Sequence, residues 1–399
     1  MSVERLLFIG SWNWHMNHRA KHIAKYLEPR FKHVDLVGFT RFYDDGTGPS
    51  DASPWYKARK GIANLWRRGV SVSTRDTVRE IVVRDLYASQ VLHAVIDDVW
   101  RYLLVRKVIT PPYDVAIFDS PHNALLAWLL KRTGKVPALI YDDHDYCPGR
   151  ESNPLRRRLT EKRERLCVRQ ADGVISTNAL LARLRRQQGA KDVTVIPNGV
   201  ALSLFASARR KMPHPSTLIY MGNLSKMWDI DLSIEAMPLL LQAIPDARLL
   251  IAGDGAAKAH LRALSQELDV AERVNFLGRL AYQDLPAVLA EADVGIATSQ
   301  FENEFRKYAT PLKLIEYMAA GLPVIASGMG QTEVTMRQAD AGILINRSVA
   351  EFVAAARSLL EDKALYERYS QAAVAYAAGF DWDSLMARVY QYILDVVAR

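Results

Sequence analysis

Arg306, Lys313 and Glu316 bracket the start of a helical pattern within the run Phe305 to Ala326. Thr310 suits the N-cap of that helix, Pro311 its first turn and Gly321 its terminator. Leu312, Ile315 and Ala319 recur at helical spacing and are expected to face a core, with Lys313 and Glu316 one turn apart on another face. A helix start offers unsatisfied N–H groups and the positive end of the dipole, which suits a diphosphate. Lys313 adds a mobile cation and Arg306 a bidentate one. Glu316, one turn further on, can accept hydrogen bonds from a ribose diol. The same residues also fit a structural helix with a Lys313–Glu316 surface pair. A cation in the first turn opposes the dipole, however, so a purely structural role leaves Lys313 slightly unfavourable.

Two other clusters have the spacing of metal ligands. Asp143-His144-Asp145 spells D-x-D, and Asp381-Trp382-Asp383 repeats it near the C-terminus, which shows how little the motif costs. His15, His18 and His22 fall on one helical face, but no carboxylate or cysteine at suitable spacing completes a zinc set. Cys147 and Cys167 have no ligand spacing and read as reduced thiols. No metal or other cofactor is expected.

Positioning these groups falls to an alternation of short apolar runs and amphipathic stretches. Leu6 to Gly10, Val34 to Phe39, Glu80 to Val83, Val115 to Phe118, Ala138 to Tyr141 and Gly173 to Ser176 read as strands, with helices such as His18 to Leu27 and Ala124 to Lys131 between most of them. After the turn at Pro197-Asn198-Gly199 a second series follows: Leu218 to Met221, Arg248 to Ala252, Val274 to Phe276, Val294 to Ala297, Val324 to Ala326 and Gly342 to Ile345. This predicts an α/β chain of two Rossmann-like domains facing each other across a cleft, residues 1–198 and 199–375, with a C-terminal helix at 376–399 returning to the first domain. Ligands of such sheets bind beyond the carboxyl ends of the strands. Trp12, Asn13 and His15, which follow the first strand, are therefore expected to line an acceptor side. The polar, poorly periodic segment from about Asp44 to Arg75 reads as a long loop or short helices.

At 399 residues, 49% hydrophobic and 24% charged, the chain has the composition of a two-domain globular protein. The start Met1-Ser2-Val3-Glu4-Arg5 lacks a secretory pattern, and the longest apolar stretches are too short to span a bilayer, so a cytoplasmic location is expected. The net charge of +8 favours an acidic partner. Tyr56 to Arg68, Arg156-Arg157-Arg158 and Arg183 to Arg186 fit either a surface resting on anionic lipid headgroups through the N-terminal domain or solvated helix faces. Nucleic acid is disfavoured, because no helix-turn-helix, RNP or zinc-finger pattern accompanies the charge.

Pro311 to Val324, reading PLKLIEYMAAGLPV, resembles the donor-site helix of the family 4 glycosyltransferases, which have the GT-B fold. Val195 to Val200, Tyr220 to Leu224, Leu250 to Gly255 and Val274 to Gly278 fit that family in the same order, and Ala292-Asp293-Val294 is a further family-like stretch. The resemblance covers Ala171 to Ser327 well and the N-terminal half loosely. It implies that Glu316 holds the ribose and that the backbone of Thr310, Pro311 and Leu312 holds the phosphates. Leu277 to Arg279 would meet the base, while Gly222 and the stretch Gly253 to Gly255 would border the cleft. His144 would sit beside the donor sugar, by similarity to a family segment matching Tyr141 to Tyr146. Many members have an Arg and a Lys where this chain has Asn223 and Trp228, and a glutamate where it has Tyr308. Arg306, Lys313 and Lys226 are expected to supply the missing positive charge, and Glu302 or Glu304 the sugar contact. The pattern is similar to a subgroup associated with bacterial surface polysaccharides. The expected activity is transfer of a sugar, with retention of configuration, from a UDP-sugar to a lipid-linked or polysaccharide acceptor. Arg306 and Lys313 would then stabilise the departing diphosphate. Two alternatives stand beside it: a nucleotide-sugar 2-epimerase of the same fold, and a sugar-nucleotide-binding protein with a degenerate catalytic site.

Overall fold

Apolar runs of four to six residues are too short for stable helices and become strands buried on both faces, as in parallel sheets covered by helices. The computed structural model describes residues 3–10, 18–40, 69–84, 93–208, 216–300 and 304–399. Contacts divide the chain into two units, one of Met1–Pro197 with Asp383–Arg399 and one of Asn198–Trp382.

The first unit carries β1 (Arg5–Ile9), β2 (His33–Thr40), β3 (Val70–Arg75), β4 (Val78–Arg84), β5 (Val115–Phe118), β6 (Ala138–Asp143), β7 (Gly173–Ser176) and β8 (Val193–Val195). They lie in the order β3-β4-β2-β1-β5-β6-β7-β8, parallel except that β3 runs antiparallel to β4. β3 corrects the expectation of loop or short helices up to Arg75. Val72 on this edge strand stays 44% exposed, so burial leaves little mark on its sequence, and the turn to β4 places Asp76 at φ 52°. The strand order turns back between β1 and β5, the point in such sheets where ligands bind beyond the carboxyl ends. The helix Trp382–Val397 counts with this unit from Asp383 onward: the Tyr392 hydroxyl accepts a hydrogen bond from the Val174 N–H at 3.1 Å.

The second unit is a six-stranded parallel sheet of β9 (Thr217–Met221), β10 (Arg248–Ala252), β11 (Val274–Gly278), β12 (Val294–Ala297), β13 (Val324–Ser327) and β14 (Gly342–Ile345). Its order β11-β10-β9-β12-β13-β14 turns back between β9 and β12. Leu218, Tyr220, Leu249, Ile251, Val294 and Ile296 face one helical layer and Ile219, Met221, Leu250 and Ala297 the other, the alternation a two-sided core requires.

Candidate active site

The helix Leu312–Ala319 begins near the carboxyl end of β9, and residues Lys313 to Ala319 are all buried. Pro311 is its N-cap, at φ −64° and ψ 124°, with no side-chain cap bond. This corrects the sequence reading, in which Thr310 capped and Pro311 opened the helix; Pro311 has no N–H to lose in either position. Leu312 is also corrected: it is 38% exposed rather than core-facing. Gly321, at φ 79°, terminates the helix as expected.

Lys313 and Glu316 are not a surface pair, being 7% and 8% exposed. Among the described residues the Lys313 ammonium has no hydrogen-bond acceptor. It stands 3.8 Å from the ring centres of both Tyr220 and Trp228. The Arg306 guanidinium, also buried, lies 3.7 Å from the Trp228 ring centre. Burial first, and the Arg306 charge second, push the Lys313 pKa well below that of an ordinary lysine; Glu316 pulls it back only in part. Burial likewise pushes the Glu316 carboxyl up to about 7 despite the Tyr282 hydroxyl and Lys313, which favour its charged form. Tyr282 and Trp228 were not among the sequence-derived site residues. Trp228 was noted only as a departure from a family pattern, and Tyr282 lies in a short turn with no chemical signature of its own.

Glycine makes the loops around this helix possible. A Cβ at Gly253 would lie 1.8 Å from the Gly222 carbonyl oxygen and one at Gly255 2.4 Å from that of Leu224, so the loops after β9 and β10 touch backbone to backbone. The Gly222 N–H donates to Ala252 O at 2.9 Å and the Gly253 N–H to Gly278 O at 2.7 Å, joining the ends of β9, β10 and β11. Gly222 also brings backbone up to the lysine, since a Cβ there would sit 3.2 Å from Lys313 Nζ. Around this core Asn223, Lys226, Leu277 and Arg279 are exposed, while Tyr308 and Thr310 are half-buried. The expected base-contacting loop is thus an open rim. Glu304 is exposed as well; Glu302 lies outside the described residues.

In the first unit, β6 ends at Asp142 and Asp143, and His144 follows it. Asp142 accepts from Arg19 Nε at 3.0 Å and pairs with Arg19 Nη2 at 2.9 Å; its other face meets His144 Nε2 at 2.6 Å. Burial alone would hold the imidazole below its ordinary pKa, but Asp142 outweighs burial and the net shift is upward. The Asp142 carboxylate therefore favours the protonated imidazole and orients it. The D-x-D carboxylates go elsewhere: Asp143 pairs with Arg185 at 2.7 Å and Asp145 with Arg150 at 2.7 Å. Among the described residues no group of three His, Cys, Asp or Glu is placed to hold a metal ion. Trp12, Asn13 and His15 lie outside the described residues.

A buried cation beside a glycine-walled loop thus stands at the turning point of a doubly wound sheet, the place where α/β proteins of this kind take up ligands. Comparison with known proteins makes the class specific. Residues 16–199 match the glycosyl transferase 4-like domain and residues 206–375 the glycosyl transferases group 1 family. The chain belongs to these glycosyltransferases, with two parallel-sheet α/β domains of the GT-B type. It is 29% identical over 233 residues to the glycogen synthase of Mycobacterium tuberculosis, covering 57% of this chain and 55% of the relative. It is 30% identical over 233 residues to the phosphatidyl-myo-inositol mannosyltransferase of the same organism, covering 55% of this chain and 60% of the relative. The match therefore spans little more than half the length of these curated relatives. Among solved structures, sucrose-phosphate synthase from Thermosynechococcus elongatus superposes with a TM-score of 0.74 at 20% identity, over 99% of this chain and 100% of that one. Anabaena HepE in complex with UDP gives 0.70 at 17% identity, over 98% of this chain and 100% of that one.

Proposed function

We propose that this chain transfers a hexosyl group from a UDP-sugar to a lipid-linked or polysaccharide acceptor, with retention of configuration. One observation carries the reading: Lys313 is buried at the first turn of its helix with no hydrogen-bond acceptor for its ammonium among the described residues. Burying such a group is costly unless an anion completes it. A diphosphate supplies that anion, and Arg306 beside it supplies a second cation.

The bond from the anomeric carbon to the β-phosphate oxygen breaks, and the acceptor oxygen forms the new bond on the same face of the sugar. The acceptor's proton passes to the departing phosphate. Negative charge grows on the diphosphate as the bond opens, where Lys313 and Arg306 stand to stabilise it. In this reading Glu316 holds the ribose diol with Tyr282 beside it, the backbone at Thr310 to Leu312 approaches the phosphates, and His144 contacts the sugar. Side chains supply the positive charge, so no metal takes part. The UDP bound by HepE and the lipid headgroup named for the mannosyltransferase relative support the donor and acceptor classes.

The acceptor side is proposed to rest on the cytoplasmic face of an anionic membrane. On the helix Pro154–Gln170, the exposed Arg158, Lys162, Arg165 and Arg169 recur at helical spacing, and Leu155 at its start is 68% exposed. Glu161 is turned to Arg157 at 3.4 Å and Glu164 is buried, so neither acid neutralises that face. Among the described residues no helix is long and apolar enough to cross a membrane.

The test is incubation with UDP- and GDP-sugars, with and without a lipid-diphosphate-linked glycan. Acceptor-dependent release of nucleotide is the expected result. Sugar conversion without acceptor would replace the reading with epimerisation, and binding without turnover would replace it with a degenerate site. Sedimentation with phosphatidylglycerol vesicles should be lost at high salt; equal binding to neutral vesicles would remove the membrane component.

A further inference from the structure

Trp228 is the point at which two cations meet. Arg306 and Lys313 lie 3.7 and 3.8 Å from its ring centre. Two neighbouring cations repel each other, and left alone they would splay apart or lose a proton. The negative face of an indole attracts both, most strongly where water is excluded. The backbone that carries the ring is tied down. The Trp228 main-chain N–H donates to Ser225 O at 3.1 Å, and its carbonyl accepts from the Thr298 hydroxyl at 3.1 Å. The neighbouring Met227 carbonyl accepts from the Gln300 N–H at 3.1 Å. The turn bearing the indole is thereby tied to the end of β12, across the point where the strand order reverses.

We propose that Trp228 is a positioning residue whose indole gathers Arg306 and Lys313 into one two-cation site for the donor's diphosphate. The inference rests on the donor-site reading above and adds how the site is assembled. A lysine at this position would bring a third charge on a flexible stem. The indole brings no charge; it fixes the direction of two charges that come from elsewhere. The arrangement favours ligands with two linked phosphates, which can meet both cations at once, over ligands with one phosphate or none.

Titration calorimetry with UDP, GDP and ADP, and competition with uridine, guanosine and adenosine, would test this on Trp228→Leu and Trp228→Phe. Leucine keeps apolar bulk without the ring face, while phenylalanine keeps a ring. For Trp228→Leu the favoured diphosphate should bind roughly tenfold more weakly. Its nucleoside should compete as in the wild type, and Trp228→Phe should recover most of the loss. Unchanged diphosphate affinity in Trp228→Leu would overturn the proposal. So would a parallel loss for nucleoside and diphosphate, because a merely structural residue would weaken both. A wild type that binds no diphosphate more tightly than its nucleoside would instead overturn the donor-site reading itself.

Discussion

Replacing Lys313 with methionine should make the protein more stable and unable to hold its donor. Methionine matches the lysine stem in length and lacks the charge. In the folded protein Lys313 is 7% exposed, its ammonium has no hydrogen-bond acceptor among the described residues, and burial and Arg306 lower its pKa. A lysine whose folded pKa is depressed destabilises the fold fully below that pKa, and the penalty fades as pH rises toward 10.5. Exchanging buried charge for apolar bulk typically gains ~1–4 kcal/mol. Losing the attraction of the Tyr220 and Trp228 ring faces returns ~1–2 kcal/mol of that. The net expectation is a gain of about 1 kcal/mol, or about 2–4 °C in the unfolding midpoint for a unit of this size.

The same exchange removes a buried partner of the diphosphate. Truncating one side of such a pair costs ~2–5 kcal/mol, which weakens binding roughly thirtyfold or more. Calorimetric unfolding at pH 7 and at pH 10, together with titration of UDP, GDP and ADP, reads both effects. The stability gain should shrink at the higher pH. A variant that melts below the wild type, or that binds the diphosphate as tightly, would refute the view that Lys313 is kept for a ligand at the expense of the fold.

Three further outcomes follow from buried charge. Glu316 has its carboxyl at about 7 when folded against an ordinary 4.5, so the folded state keeps a proton that the unfolded chain has released. Stability should therefore fall as pH rises between those values, by about 3 kcal/mol at ~1.4 kcal/mol per pH unit, and Glu316→Gln should flatten the curve in denaturant titrations. Asp142→Asn should lower the His144 pKa in an NMR titration, because the Asp142 carboxylate favours the protonated imidazole against burial. Arg185→Ala should cost ~3–5 kcal/mol of unfolding free energy in urea melts, since Asp143 and Glu164 would be left buried and unpaired.

How much of this was legible in the sequence depends on which physical signal each element leaves. Strands buried on both faces, such as Val115–Phe118 and Val294–Ala297, write themselves as unbroken apolar runs between turns. Val70–Arg75 does not, because an exposed edge strand is not constrained to be apolar. The cation-bearing helix was readable from Pro311, Lys313 and Gly321, although the cap moved by one residue. The company Lys313 keeps was not readable. Trp228, Tyr220 and Tyr282 are ordinary aromatics, and only folding brings them to the lysine and Glu316. Asp142 was hidden in the same way: in the sequence it is one of three acids around His144, and the structure alone gives Asp143 to Arg185 and Asp142 to the histidine.

Two buried cations in this one chain show why Lys313, and not burial as such, marks the site. Arg185 is fully buried in the first unit, and its guanidinium is completely engaged. Nε and Nη2 donate to Asp143 at 2.8 and 2.7 Å, and Nη1 donates to Glu164 at 2.7 Å and to Gln188 at 2.9 Å. That is how a fold buries a charge for its own sake, with acids and amides meeting the donors. Lys313 is nearly as deep and receives no acceptor among the described residues, only two aromatic faces, the repulsion of Arg306 and the partial pull of Glu316. Glu316, a carboxyl one turn away, pairs with Tyr282 instead of turning to the ammonium. A chain able to complete Arg185 was able to complete Lys313 too, so the difference lies in what each is for. Structural pressure alone favours methionine or leucine at this position. A lysine there is consistent with selection for an anion that arrives from outside the chain, and the opposite signs expected for the stability and the affinity of Lys313→Met turn that argument into a measurement.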